Sequence, residues 1–184
     1  MATALLVPVK AFTEAKLRLA PVLDETERAL LARTMADQVL DASGDLATAV
    51  VCDDPEVAEW ARGRGVQVVW TPARGLNAAV TEAVALLGRD GFDLVTVAHA
   101  DLPLVRDLTG LSRPAAAVLA PDRRRDGTNV ASVPTGVGFS FSYGPGSFGR
   151  HCAEAERLGL ELVVIERDDL AWDIDVPADL AVLP

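Results

Sequence analysis

Short apolar runs alternate with longer helical segments in the first half of the chain, and this alternation limits the fold more than any other feature of the sequence. Four runs have the length and composition of buried strands: residues 4–7, 46–52, 66–70 and 94–98. Helices are expected from Asp24 to about Gly44, from Asp54 onward and over residues 78–87. Strands joined by such helices pair in parallel through right-handed crossovers. The sequence therefore predicts a three-layer α/β/α Rossmann-like fold with a mostly parallel central sheet.

The second half of the chain continues this pattern less regularly. Residues 115–120 have the composition of a fifth buried strand. Residues 130–133 and 139–142 read as two shorter strands around a loop with proline and glycine, an arrangement open to antiparallel pairing. A helix over residues 148–158, a strand over 160–166 and a final short helix follow. Because no repeat, low-complexity segment or linker interrupts the sequence, we expect one domain over residues 1–184.

Composition excludes several classes of function. The chain has a formal net charge of −10 and a sequence pI near 4.6, which argues against a nucleic-acid surface because such a surface needs a continuous basic patch. No apolar run approaches the ~20 residues of a membrane span, and no signal peptide is recognisable. We therefore expect a cytoplasmic protein with no nucleic-acid or membrane partner. The two cysteines, Cys52 and Cys152, do not have the spacing of a zinc motif.

Positive charge is concentrated in the segment that follows the first predicted strand. The chain has 17 basic residues but only two lysines, and both, Lys10 and Lys16, lie in this segment beside Arg18. Ligands of α/β proteins bind at such strand ends, and compact ammonium groups there favour a phosphate-rich ligand. Solvated loop charges are the simpler alternative. No Gly-x-x-x-x-Gly-Lys loop is present, so a phosphate site here would differ from a Walker A motif.

Three aspartates supply the negative charge that a metal ion would need. Asp101 comes just after the strand predicted over residues 94–98, and Asp173 and Asp175 lie at a strand-to-loop junction near the end of the sequence. Mg2+ uses few protein carboxylates and keeps several waters. One carboxylate from each of these two distant segments therefore suits an Mg2+ ion that carries substrate phosphates. Taken singly, each aspartate also fits a helix cap or a turn. Combined with the lysines, they predict cations that hold a triphosphate and carboxylates that hold the metal.

Two glycine-containing turns form a second candidate binding element. Gly127-Thr128-Asn129 and Gly144-Pro145-Gly146-Ser147 let main-chain amides approach an anion, and Ser147 stands at a predicted helix N-terminus. Tight turns that simply need glycine explain each motif equally well. The run Arg123-Arg124-Arg125 reads as a solvated loop face. His99 and His151 have no nucleophile in a recognisable motif, although His99 is close enough to Asp101 to line the site.

Six motifs together resemble those of a known enzyme family, in the same order and over nearly the whole chain. They are Pro8-Val9-Lys10 with Ala15-Lys16-x-Arg18-Leu19, Gly75-Leu76-Asn77, Ala100-Asp101-Leu102-Pro103, Gly127-Thr128-Asn129, Gly144-Pro145-Gly146-Ser147-Phe148, and Asp173-Ile174-Asp175-x-Pro177-x-Asp179. The chain resembles the phosphoenolpyruvate and 2-phospho-L-lactate guanylyltransferases of coenzyme F-420 biosynthesis, which have the molybdopterin-guanylyltransferase-like nucleotidyltransferase fold. His99 and Val176 depart from the residues that the family pattern favours, but neither departure removes a metal ligand.

The resemblance implies a role for each motif. Lys10, Lys16 and Arg18 would hold the triphosphate of GTP, and Gly75 and Asn77 would lie against the nucleoside. Asp101 and Asp175, with Asp173 adjacent, would carry Mg2+. The acceptor, a small phosphorylated carboxylic acid, would bind through Thr128, Gly144 and Ser147.

The reaction implied by the resemblance is attack of an acceptor phosphate oxygen on the α-phosphorus of GTP, with loss of pyrophosphate. That oxygen is already ionised at neutral pH, so no general base is required and alignment with charge neutralisation suffices. Two other hypotheses for the function stay open. The chain could be a nucleotidyltransferase of the same fold that acts on a molybdenum cofactor or a sugar phosphate, or a catalytically silent nucleotide-binding module. The sequence also leaves open the acceptor, Mg2+ against Mn2+, and a monomer against a homodimer.

Overall fold

A seven-stranded sheet runs through the part of the chain that the computed structural model describes, residues 1–72 and 75–183. The strands are β1 (Thr3–Pro8), β2 (Ala47–Cys52), β3 (Gln67–Trp70), β4 (Leu94–Ala98), β5 (Ala116–Pro121), β6 (Thr128–Pro134) and β7 (Glu161–Val164). Their order in the sheet is β3-β2-β1-β4-β6-β5-β7. The helices are α1 (Glu25–Asp41), α2 (Pro55–Gly63), α3 (Leu76–Arg89), α4 (Ser147–Arg157) and α5 (Asp168–Ala171).

Strand pairing confirms the predicted mostly parallel sheet. β1 pairs in parallel with β2 and β4, β2 with β3, and β5 with β7. Only β6 runs against its neighbours, β4 and β5, which confirms the antiparallel pairing left open for residues 130–133. Because β1, β2 and β4 are parallel, their carboxyl ends meet at one edge of the sheet, and the loops that follow them come together there.

Helix starts follow the capping residues that the sequence indicates. Asp24 accepts a hydrogen bond from the Glu27 amide, and the Glu27 carboxylate accepts one from the Asp24 amide, each at 2.8 Å. This capping box satisfies amides that would otherwise be unpaired at the start of α1. Asp54 caps α2 in a similar way, with Pro55 as the first helical residue.

Helices cover both faces of the sheet and bury it. Leu5, Val7 and Val50 face a core cluster that includes Val39 of α1 and Trp60 of α2. The alternate residues of the same strands face a second cluster on the other side, together with apolar residues of α3 and α4. All residues of β4 and β5 are buried. The predicted three-layer α/β/α architecture is thus confirmed.

The strand predicted over residues 139–142 is wrong. The amides in this segment bind side chains rather than a neighbouring strand: Ser140 donates to Glu154 Oε1, Ser142 to His151 Nε2 and Tyr143 to Asn77 Oδ1. The alternation that suggested a strand is nevertheless real, because Phe139, Phe141 and Tyr143 are all buried. The segment has one face packed on α4 and α3 side chains, but it lies outside the sheet.

In the described ranges, no helix combines the length and the apolar character needed to cross a membrane.

Candidate active site

A cleft of about 770 Å³ opens at the carboxyl ends of β1, β2 and β4. Its lining includes these predicted site residues: Lys10, Lys16, Arg18, Gly75, Asp101 and Asp175. The loop that carries Lys10, Lys16 and Arg18, called the cationic loop below, therefore meets Asp101 and Asp175 in this cleft. Such a meeting is expected for loops that follow parallel strands. Gly75 is the N-cap of α3 and has φ +88°, a conformation that only glycine adopts readily.

Two apolar anchors hold the cationic loop over the cleft. The loop forms two short 3-10 turns, Phe12–Glu14 and Leu17–Leu19. Phe12 is buried and packs edge-on against Trp60, with ring centroids 5.3 Å apart, and Leu19 is fully buried. Lys16 lies between the turns in the left-handed region, at φ 55° and ψ 36°. That conformation is costly for a non-glycine residue and needs firm support from its surroundings.

Lys16 joins the two aspartates of the cleft. Its Nζ contacts Asp101 Oδ2 and lies 3.6 Å from Asp175 Oδ1, while Arg18 Nη1 lies 3.2 Å from Asp175 Oδ2. Burial alone would lower the pKa of Lys16, but the carboxylates of Asp101 and Asp175 hold it above its ordinary value. Burial would likewise raise the pKa of Asp101, but the Lys16 ammonium holds it below its ordinary value. Both groups are therefore charged at neutral pH.

A third carboxylate adds negative charge at the same place. Burial, together with the charges of Asp101 and Asp175, raises the pKa of Asp173 to about 6. Asp173 Oδ1 lies 4.0 Å from Arg123 Nη1. The three carboxylates thus lie close enough together at this place for their charges to affect one another's pKa.

The donor set is compatible with a divalent cation. Asp101 Oδ1 is buried and has no hydrogen-bond partner among residues 1–72 and 75–183. Over the same ranges, no group of three or more His, Cys, Asp or Glu side chains is arranged to hold a metal by itself. Mg2+ does not need such a group, because it keeps waters and substrate oxygens beside one or two carboxylates. Asp101 and Asp175 are the residues that suit this role best.

Asp179 and Arg123 hold Asp173 and Asp175, the late aspartates, in place. Asp179 is 1% exposed, and its Oδ2 accepts hydrogen bonds from the amides of Asp175 and Val176 at 2.8 and 2.9 Å. Its other oxygen contacts Arg123 Nη2. The Arg123 guanidinium stacks on the Trp172 ring, 4.2 Å from the centroid. The solvated loop face predicted for the arginine run is wrong for Arg123, whose partners lie about 50 residues later in the sequence, where no local pattern could reveal them.

The predicted acceptor residues lie beside the cleft rather than in its lining. Thr128 and Ser147 are buried, and Ser147, the first residue of α4, donates its amide hydrogen to the Gly144 carbonyl at 3.0 Å. Gly144 has φ +111°, which glycine alone tolerates. Tyr143, directly before Gly144, connects this turn to the cleft, because its ring centroid is 4.8 Å from that of His99.

His151 has a positioning role that the sequence did not suggest. Its Nε2 accepts from the Ser142 amide, so its Nδ1 carries the proton and donates to Thr128 Oγ1, both at 2.9 Å. Burial, reinforced by the charge of Arg150, lowers the pKa of His151 to about 4. The neutral imidazole therefore fixes the Thr128 hydroxyl.

Asn77 contacts the main chain instead of facing the cleft. Its Oδ1 accepts from the Tyr143 amide at 2.6 Å, and its Nδ2 donates to the Tyr143 carbonyl at 3.4 Å. The side-chain amide that the family resemblance assigns to the nucleoside thus ties α3 to Tyr143. Sequence reasoning missed both Tyr143 and His151, and the only signal for Tyr143 was the alternation with Phe139 and Phe141.

Solved structures with a similar fold are nucleotide-handling transferases. A putative nucleotide-diphospho-sugar transferase from Desulfovibrio desulfuricans G20 superposes with a TM-score of 0.77 at 19% identity, over 100% of this chain and 87% of that chain. The CMP:2-keto-3-deoxy-manno-octonic acid synthetase complexed with CTP superposes with a TM-score of 0.64 at 13% identity, over 98% of this chain and 96% of that one. The chain shares the Rossmann-like fold of these structures.

Sequence comparison identifies the chain as an enzyme of the nucleotidyltransferase class. The family model described as "Guanylyl transferase CofC like" matches residues 3–183, and the chain belongs to this family. The phosphoenolpyruvate guanylyltransferase of Rubrobacter xylanophilus is 39% identical, over 95% of this chain and 90% of the relative. The phosphoenolpyruvate guanylyltransferase of Sphaerobacter thermophilus is 38% identical, over 98% and 91%. These findings confirm the family resemblance inferred from the six motifs.

Proposed function

We propose that this chain transfers the guanylyl group of GTP to phosphoenolpyruvate and releases pyrophosphate. The product would be enolpyruvoyl-2-diphospho-5'-guanosine, an intermediate of coenzyme F-420 biosynthesis. The names of the relatives support phosphoenolpyruvate as the acceptor, and 2-phospho-L-lactate is the alternative within the same chemistry. The observation that carries the proposal is the convergence of Lys16, Asp101 and Asp175 at the carboxyl edge of the sheet.

The chain's own residues supply alignment and charge. Lys10, Lys16 and Arg18 bind the triphosphate, because they are the cations of the loop that lines the cleft. Asp101 and Asp175 would hold Mg2+, with Asp173 adjacent; the ion would neutralise charge shared by the nucleotide and the acceptor phosphate. The attacking phosphate oxygen is ionised at neutral pH, so a side-chain base is not required.

The acceptor binds on the side of the cleft where β6 begins and α4 starts. Thr128, Gly144 and Ser147 are the residues that the family resemblance assigns to its phosphate and carboxylate, and Ser147 lies where α4 begins. His151 supports this role by orienting the Thr128 hydroxyl. Gly75 also lines the cleft and would approach the nucleoside.

The proposal also includes the cellular location of the reaction and the oligomeric state of the protein. GTP and phosphoenolpyruvate are cytoplasmic metabolites, so we expect the reaction to take place in the cytoplasm. A homodimer stays a prediction that sedimentation equilibrium of the purified protein would test.

Acceptor-dependent pyrophosphate release tests the proposed function. Purified protein is incubated with GTP and Mg2+, with phosphoenolpyruvate, with 2-phospho-L-lactate or without an acceptor. We expect release only when an acceptor is present, and faster release with phosphoenolpyruvate. Mn2+ in place of Mg2+, and CTP or ATP in place of GTP, test the metal and the base. GTP binding without release for either acceptor would instead support the silent nucleotide-binding module.

A further inference from the structure

Side chains, rather than a neighbouring strand, hold the turn that leads into α4. Residues 143–147, called the acceptor turn below, contain Gly144 and Ser147 and lie outside the sheet. Main-chain groups of residues 140–146 bond to the side chains of Asn77, Asp126, Arg150, His151 and Glu154. Because buried main-chain groups need partners, the position of this segment depends on where these side chains stand.

Asn77 differs from the other partners in its place in the fold. Arg150, His151 and Glu154 belong to α4, which begins at Ser147 of the turn itself. Asn77 lies in the first turn of α3, 66 residues before Tyr143, and α3 starts at the cleft, where Gly75 and Leu76 are lining residues. Asn77 therefore joins the part of the cleft proposed for the nucleoside to the acceptor turn.

The Asn77 side chain fixes Tyr143 through both of its main-chain groups. Its Oδ1 accepts from the Tyr143 amide at 2.6 Å, and its Nδ2 donates to the Tyr143 carbonyl at 3.4 Å. A carboxamide carries a donor and an acceptor together, so it can pair with a residue as a neighbouring peptide group would. The Tyr143 side chain is buried in the same apolar cluster as Val80 and Val84 of α3. Tyr143 is thus tied to the start of α3, directly before Gly144.

We propose that Asn77 couples nucleotide binding to the acceptor turn, an inference that rests on the proposed function. A nucleotide that contacts Gly75 restricts the first turn of α3, and Asn77 extends this restriction to Tyr143 and the residues that follow. The acceptor then binds a turn that is already ordered. A ligand that meets a site already restricted by another ligand loses less conformational entropy, and the two ligands bind cooperatively.

A direct contact with the nucleoside, the role that the family resemblance implies for Asn77, fits the geometry less well. The side chain is bonded to Tyr143 and, unlike Gly75 and Leu76, is not part of the cleft lining. A nucleoside contact would require the side chain to turn away from Tyr143. Asn77 is therefore a positioning residue that acts through Tyr143.

Asn77→Ala tests the coupling with little risk to the fold, because residue 77 is exposed and alanine favours a helix. Hydrogen exchange of residues 143–147 is measured on the full chain with Mg2+, with and without α,β-methylene GTP, whose bridging carbon prevents the release of pyrophosphate. In the wild type we expect the nucleotide to slow this exchange by about fivefold or more, as for a gain of one hydrogen bond. In Asn77→Ala the nucleotide should bind with wild-type affinity and leave the exchange unchanged.

Calorimetry measures the same coupling through the acceptor. In the wild type, bound α,β-methylene GTP should lower the dissociation constant of phosphoenolpyruvate by about 5- to 150-fold, the usual range for two coupled sites. In Asn77→Ala the dissociation constant should be nearly the same with and without the nucleotide. Because coupling is reciprocal, phosphoenolpyruvate should also cease to affect nucleotide affinity in this variant.

Glu154→Ala is the matched control. Glu154 also lies in a helix and accepts a main-chain amide of the same segment, that of Ser140 at 2.9 Å, but its helix is α4. Its removal should speed exchange of this segment equally with and without nucleotide. The effect of the nucleotide should therefore persist in Glu154→Ala and disappear in Asn77→Ala, a difference that a purely structural role for Asn77 would not produce.

The outcomes separate this coupling from the proposed reaction. If the nucleotide slows exchange in the wild type but not in Asn77→Ala, the coupling stands even where no acceptor leads to pyrophosphate release and the proposed function fails. If pyrophosphate release depends on an acceptor but the nucleotide leaves exchange of residues 143–147 unchanged in the wild type, the coupling alone is overturned. Weaker nucleotide binding in Asn77→Ala, with the effect on exchange retained, would overturn it in favour of a nucleoside contact.

Discussion

Replacing Asp179 with asparagine tests how the late aspartates are held at the site. Asp179 does not line the cleft, yet its carboxylate accepts hydrogen bonds from the Asp175 and Val176 amides and contacts Arg123. These contacts hold the pKa of Asp179 below its ordinary value despite its burial. Asparagine keeps the size of the side chain but removes the negative charge that these groups share.

The expected cost of this substitution follows from the contacts that it weakens. Hydrogen bonds to charged groups contribute about 1.5–3 kcal/mol. The Arg123 side chain is 25% exposed, so water replaces part of the loss, and we expect Asp179→Asn to lower the free energy of unfolding by about 1.5–3 kcal/mol. Asp179→Ala also removes the acceptor of both amides and leaves the Arg123 guanidinium with Asp173, 4.0 Å away, so it should lower the free energy of unfolding more than Asp179→Asn does.

Activity should show an effect that stability alone does not explain. Residues that orient metal ligands typically contribute 10- to 100-fold to metal affinity or activity. We therefore expect Asp179→Asn, assayed well below its melting temperature, to need about 10- to 100-fold more Mg2+ for half-maximal pyrophosphate release.

Glu166→Gln is the matched control for this experiment, because Glu166 pairs with Arg125 while both side chains are more than half exposed. An exposed pair of this kind contributes about 0–1 kcal/mol, so this variant should keep the stability and metal dependence of the wild type. The reasoning is refuted if Asp179→Asn matches Glu166→Gln in denaturant unfolding and in the Mg2+ titration.

Two further predictions concern charged and titratable groups. Lys16→Met removes the cation shared by Asp101 and Asp175; we expect kcat/KM to fall more than about 100-fold, and the pKa of Asp101, followed by carboxyl NMR, to rise. A wild-type pKa for Asp101 would contradict the ion pair. Protonation of His151 favours the unfolded state, because its folded pKa of about 4 lies below the ordinary histidine pKa of 6.5. The contribution of His151 to the free energy of unfolding should therefore be fully present above pH 6.5 and be lost by about 2–4 kcal/mol toward pH 4. In His151→Gln, the free energy of unfolding measured with urea should depend less on pH between 6.5 and 4. Burial also lowers the pKa of His99, but His99 is present in both the wild type and His151→Gln, so its contribution cancels. The same pH dependence of unfolding in both proteins would therefore contradict the low pKa of His151.

Sequence patterns predicted the parts of the fold that depend on neighbouring residues. The capping box of Asp24 and Glu27 marks the start of α1 within the sequence itself. Apolar runs of strand length gave the parallel strands, and the meeting of Lys16 with Asp101 followed because carboxyl ends of parallel strands share one edge. The six motifs carried the family, which the matched family model confirms.

The errors arose where a residue depends on partners that are distant in the sequence. Residues 139–142 have the alternation of a strand, but their amides bind Glu154, His151 and Asn77 instead of a strand edge. Arg123 looks like its two exposed neighbours, and only Asp179 and Trp172 distinguish it. Side-chain partners of this kind are set by tertiary packing, which local periodicity does not encode.

The comparison of Asp101→Asn with Asp93→Asn tests most directly whether the carboxyl edge of the sheet is the reaction centre. The two aspartates flank the same strand: Asp93 precedes β4 and binds the Ala2 amide, whereas Asp101 follows β4 and contacts Lys16. Pyrophosphate release and product mass are measured for both variants with GTP, Mg2+ and phosphoenolpyruvate, beside their unfolding curves. We expect Asp101→Asn to lose more than about 100-fold in turnover while it remains folded, and Asp93→Asn to keep wild-type turnover. Near-normal turnover in folded Asp101→Asn would contradict the proposed metal and phosphate site.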